Sequence, residues 1–108
     1  MLTRPPEKKS RTSNAVTLEW LPWTRPPDLG EGPVSGYRVY YKRRWGKVEW
    51  QQTESTEELH MVVTGLKSRV HYQFKVAPLH EQGFEGRPSP IATVVTCGGK
   101  CRIVLKSV

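Results

Sequence analysis

Between Val70 and Val76 apolar and polar side chains alternate without a break: Val70, Tyr72, Phe74 and Val76 on one parity, His71, Gln73 and Lys75 on the other. A period of two suits an extended strand that buries one face and wets the other. The same alternation recurs at Val16, Leu18 and Trp20, at Tyr37, Val39 and Tyr41, at Val48 and Trp50, and at Leu59, Met61 and Val63. A last β-branched run occupies Pro90–Thr96. Turn chemistry separates these runs: the Pro- and Gly-rich stretch 23–33 around Asp28, Gly46, Thr53–Glu58, Thr64-Gly65, and the Gly83–Pro90 segment. Nowhere do apolar residues keep helical spacing for three turns. Short strands punctuated by turns every ~8–12 residues predict an all-β chain, a seven-stranded antiparallel sandwich.

Size agrees with one such unit. With 108 residues the chain falls within the range of a single domain and far short of an eight-fold α/β barrel. Four Trp, four Tyr and two Phe supply large rings that bury much area per residue, enough for one modest core. The longest near-continuous apolar stretch, Ile91–Val95, is interrupted by Thr93, so a membrane helix and membrane contact by this segment are not expected. No apolar stretch follows Met1, and the expectation is an intracellular chain or an excised module.

Leu18-x-Trp20-x-Pro22, Gly36-Tyr37-x-Val39-x-Tyr41, Gly65-Leu66 before Tyr72-x-Phe74-x-Val76, and the Gly83–Ser89 loop together resemble a fibronectin type III domain. The resemblance covers residues 15–96. It implies an immunoglobulin-like sandwich with strands A, B and E facing strands C, C′, F and G. It makes residues 1–14 a basic linker or ragged strand A, and 97–108 a tail carrying a cysteine pair. Trp20 is then the large inward ring of strand B. Tyr37, Val39 and Tyr41 line the facing sheet, with Phe74 and Val76 in the core. Tyr72, following Leu66, occupies the place of the family's tyrosine corner, its phenol bonded to upstream backbone. Two departures stand out: Lys67 takes the place of a usual proline, and Arg4–Asn14 offers no apolar alternation.

Catalytic patterns are absent from the sequence. His60, His71 and His80 lack metal-ligand spacing and read as solvated or edge residues, so no metal and no cofactor are expected. Glu57 and Glu58 are adjacent and cannot flank a substrate, and no nucleophile elbow or phosphate loop occurs. Cys97-Gly98-Gly99-Lys100-Cys101 admits a local disulfide, two free thiols or bonds to a missing neighbour, while zinc lacks a second ligand pair.

Charge carries the remaining signal. Seventeen Lys and Arg against ten Asp and Glu give a net +7. On the strand parities above, Arg38, Tyr40, Lys42 and Lys75 point out from one sheet, and Arg43, Arg44, Trp45 and Lys47 crowd the turn that follows Lys42. Basic groups interleaved with rings form a candidate partner surface, for acidic protein or sulfated glycan. The same lysines and arginines also serve simply to keep a sheet from aggregating. Two outward rings are too few for a nucleic-acid platform.

The function expected is a non-catalytic interaction and spacer module, bound to neighbouring modules and protein partners, within an extracellular cell-surface receptor or adhesion protein. The alternatives are a cytoplasmic module of a giant muscle-type scaffold and a heparin-type polyanion binder. The absence of an Asn-x-Ser/Thr sequon favours the scaffold, and the paired cysteines favour an oxidising compartment.

Overall fold

A computed structural model describes residues 4–22, 34–81 and 85–98. Seven strands follow in order: β1 Glu7–Arg11, β2 Val16–Glu19, β3 Val34–Arg43, β4 Gln51–Gln52, β5 His60–Val63, β6 His71–His80 and β7 Ala92–Val95. They form two sheets, β1-β2-β5 and β4-β3-β6-β7, with every pairing antiparallel. The fold is an all-β sandwich, and among the described residues there is no helix.

Alternation puts Val16, Leu18 and Trp20 of the first sheet against Tyr37, Val39, Tyr72, Phe74, Val76 and Val94 of the second, with Val63 and Leu66 closing the core. Tyr41 is half-buried against this cluster. Trp20 is only 5% exposed and meets the Tyr37 ring edge-on, centroids 5.8 Å apart. Its indole N–H has no hydrogen-bond partner among the described residues, and the ring contributes through buried area.

Backbone groups at the strand ends are satisfied by side chains. The Tyr72 phenol oxygen accepts the Lys67 N–H at 2.8 Å, which fastens the β5–β6 connection onto β6. Gly65 in that connection has φ 75°, a left-handed conformation that glycine adopts without a Cβ penalty. Ser89 Oγ accepts the Val76 N–H at 3.0 Å, and Thr96 Oγ1 accepts that of Val70 at 3.0 Å while donating to Lys67 O. These hydroxyls extend the β6–β7 ladder beyond both ends of the short β7.

Of the two alternatives for residues 1–14, linker or ragged strand A, residues 7–11 form a strand, β1, without an apolar stripe; main-chain pairing with β2 across a bulge between Lys8 and Ser10 suffices. Two elements differ from the sequence reading. The strand expected around Val48–Gln51 is only Gln51–Gln52, and Trp50 lies over the outer face of the sheet, where two ammonium groups meet its ring. His80, read as solvated or at an edge, is 2% exposed. It is covered because Gly86 packs against it and against Pro78, with the Gly86 N–H bonded to Pro78 O at 2.8 Å.

Candidate interaction face

Strand register decides which charged side chains can act together. β3 pairs with β6 so that Tyr40 faces Lys75, Lys42 faces Gln73 and Arg38 faces Ala77; Tyr40 also faces Gln52 of β4. Arg38, Tyr40, Lys42 and Lys75 therefore share one outer face. Arg43 leaves it: its register partner is the inward Tyr72, and alternation gives it the parity of Tyr41. Arg44, Trp45 and Lys47 follow in the exposed β3–β4 connection.

Two regions divide this face. At one end the Glu85 carboxylate sits 3.5 Å from the Arg38 guanidinium and accepts the Tyr40 hydroxyl proton in a hydrogen bond. Arg38 also reaches Gln52 Oε1 at 3.5 Å. Burial first, and then the Glu85 carboxylate, hold the Tyr40 phenol above its ordinary value. Arg38 thus already has a carboxylate partner within the chain.

At the other end the cations rest on rings. Lys75 Nζ lies 4.3 Å and Lys42 Nζ 4.9 Å from the Trp50 ring centroid, and Lys75 is also 5.7 Å from that of Tyr40. Beyond them the Arg44 guanidinium stands 5.0 Å from the Trp45 ring, whose edge contacts His71 at 5.0 Å. Trp45 is 61% exposed. Among the described residues none of Lys42, Arg44, Lys47 and Lys75 pairs with a carboxylate. Cation–π contacts of this kind contribute ~0.5–1 kcal/mol at exposed sites. They hold an ammonium in place and leave its charge available.

The outer face of the other sheet is different. There Lys9 bridges Glu7 at 3.0 Å and Glu19 at 3.3 Å, hydrogen bonds that raise the pKa of its ammonium. Glu58 and His60, 3.7 Å apart, are both exposed.

Trp50 and Glu85 are the residues that sequence reasoning missed. Trp50 was assigned by its alternation with Lys47 and Glu49. Trp50 has the parity of Gln52, which faces the outward Tyr40, so the β3–β4 register itself puts the ring on the outer side. Glu85 sits in a loop with no periodicity to read. Elsewhere, no group of three His, Cys, Asp or Glu among the described residues could hold a metal ion. None of their helices is long and apolar enough to cross a membrane, the fold having no helix to offer. Cys97 takes part in a disulfide and is not a free thiol; Cys101 lies outside the described residues.

Two sheets of three and four antiparallel strands and a tyrosine corner define an immunoglobulin-like module. The fibronectin type III domain family matches over residues 4–95, and the chain belongs to that family. The fold is generally non-catalytic. A titin homolog from Caenorhabditis elegans is 29% identical over 98 residues, which take in 88% of this chain and a share of the relative that rounds to 0%. Among solved structures, the twitchin kinase region from C. elegans matches with a TM-score of 0.73 at 22% identity, over 94% of this chain and 18% of that one. A fibronectin type III domain from human fibronectin type III domain containing protein 3 gives 0.69 at 19%, over 89% and 84%. Both structural likenesses are likenesses of fold.

Proposed function

We propose that this chain is a non-catalytic spacer and interaction module of a giant modular scaffold inside the cell. The observation that carries the reading is the titin homolog: nearly the whole of this chain aligns with a negligible fraction of a very long relative. Strand directions support it. β1 and β7 run the same way, since Arg11 at the end of β1 donates to Val95 O at the end of β7 at 2.8 Å, and the Cys97 N–H bonds Thr12 O. The first and last strands therefore run along the sandwich in one direction, a geometry suited to a link in a head-to-tail series.

Membership of a cell-surface receptor or adhesion protein is the second reading, and the Cys97 disulfide favours it, because disulfides persist in oxidising compartments. Labelling intact cells that express the full-length parent protein with a membrane-impermeant biotin separates the two. The scaffold reading expects no label on this module and retention of the protein in the detergent-insoluble fraction. Labelling in intact cells overturns it in favour of the surface reading.

A further inference from the structure

We propose that the outer face formed by Lys42, Trp50 and Lys75, continued by Arg44 and Trp45, is a docking surface for an acidic, extended peptide segment of a protein partner. The inference rests on the module being an interaction unit and holds for either compartment.

The molecule itself shows what this face accepts. At the Arg38 end a carboxylate from a distant part of the chain, Glu85, is received by a guanidinium and a phenol on adjacent positions of the sheet. Moving along the same face, the cation–ring arrangement continues while the carboxylates stop: Lys75 and Lys42 stand over Trp50, Arg44 over Trp45, and none has an acidic partner among the described residues. The opposite sheet shows the contrasting outcome, with Lys9 spent on Glu7 and Glu19. Among the described residues, the cations held over rings are on this side of the sandwich.

Spacing selects the occupant. Outward positions on a strand repeat every ~6.6–6.8 Å, and so do alternate residues of an extended peptide. Acidic residues at every second position of such a peptide match that repeat, and the residues between them can cover the exposed Trp45 ring. The ring contacts hold the lysine side chains near their bound positions, which reduces the side-chain entropy lost on binding. The charges are only half-buried or exposed, so the attraction is screened by salt.

The test uses the full 108-residue chain and three probes of matched charge: an alternating Glu-Ser peptide, a heparin oligosaccharide and a single-stranded oligonucleotide, titrated by calorimetry at low and high salt. The proposal expects the peptide to bind, with affinity falling as salt rises. It expects Lys42→Glu with Lys75→Glu to weaken binding about tenfold or more, and Arg4→Glu with Lys8→Glu, the same change of charge on the other sheet, to weaken it less than about twofold. Lys42→Gln with Lys75→Gln reads the same face if the reversed pair fails to fold, and is expected to show a smaller loss in the same direction. Equal loss in the two reversed pairs means that net charge alone attracts the peptide, and overturns the proposal. So does absence of peptide binding, or face-dependent binding of heparin or the oligonucleotide that exceeds that of the peptide. Because localisation does not enter any arm, failure here leaves the scaffold reading to its own experiment.

Discussion

Tyr72 uses both halves of its side chain. The ring packs 6.3 Å from that of Phe74 within the core, and the phenol oxygen takes the N–H of Lys67. Tyr72→Phe keeps the ring and leaves that half-buried N–H without its acceptor, a cost of about 1–3 kcal/mol. Urea denaturation should show a lower midpoint with an unchanged slope. An unchanged midpoint would mean that water replaces the phenol at no cost. Tyr40 has a different task, donating to the Glu85 carboxylate. Its pKa is raised by burial and then by Glu85, so the folded state favours the neutral phenol. That contribution is complete below the unfolded value of about 10 and is lost as pH rises through the higher folded value. Alkaline absorbance titration should reveal a tyrosine that ionises later than an ordinary one, and this late component should vanish in Tyr40→Phe. At residue scale the inward rings were legible, because burial follows parity. The Tyr40–Glu85 contact was not, because its partners are far apart in sequence and meet only through the path of a loop.

β6 is the element around which the larger sheet is organised. It pairs with β3 along nearly its whole length and with β7 over its first half. Past that point the Gly86–Pro90 segment takes over: Gly86 N–H bonds Pro78 O at 2.8 Å, and Ser89 N–H bonds Val76 O at 2.8 Å. This approach requires the absence of a side chain at residue 86. A Cβ there would stand 2.9 Å from both Pro78 Cγ and His80 Nε2, closer than real methyl groups pack. Gly86→Ala should therefore push the segment off β6, at a cost of about 1–3 kcal/mol. The check is thermal unfolding with amide hydrogen exchange, which should show Gly86 and Ser89 losing protection while the β2–β5 pairing keeps its own. Unchanged protection at both residues would show that Pro78 and His80 yield without strain. Alternation predicts that a strand exists and which face is buried. It does not predict where pairing stops, as at the short β4, nor the register with β3, Gln52 opposite Tyr40, that puts Trp50 on the outer side.

At the scale of the whole molecule, the end where β7 finishes is held by main-chain bonds. The Cys97 N–H donates to Thr12 O at 3.0 Å, Arg69 N–H donates to Cys97 O at 3.3 Å, and Leu66 N–H to Asn14 O at 3.0 Å. These tie the β1–β2 turn, the β5–β6 connection and the end of β7 together without help from sulfur. If the partner of Cys97 is Cys101, four residues on in sequence, the bridge closes a short loop and removes little unfolded-chain entropy. Reduction should therefore raise the intact mass by about two daltons and shift the denaturation midpoint only slightly. Two titratable thiols in protein purified without reductant would contradict the disulfide. The sequence by itself determined the sandwich and most of its core, because a half-buried sheet imposes a period of two on any chain that forms it. The placement of Tyr72 opposite the Leu66 connection was legible for the same reason. Tertiary structure alone decided the make-up of the proposed docking face. Arg38 is paired with Glu85, Arg43 is turned away from the face, and Lys42 and Lys75 are gathered over Trp50. Each outcome depends on register between strands and on the course of loops, where side chains distant along the chain are brought within contact range, and composition and periodicity carry no record of that distance.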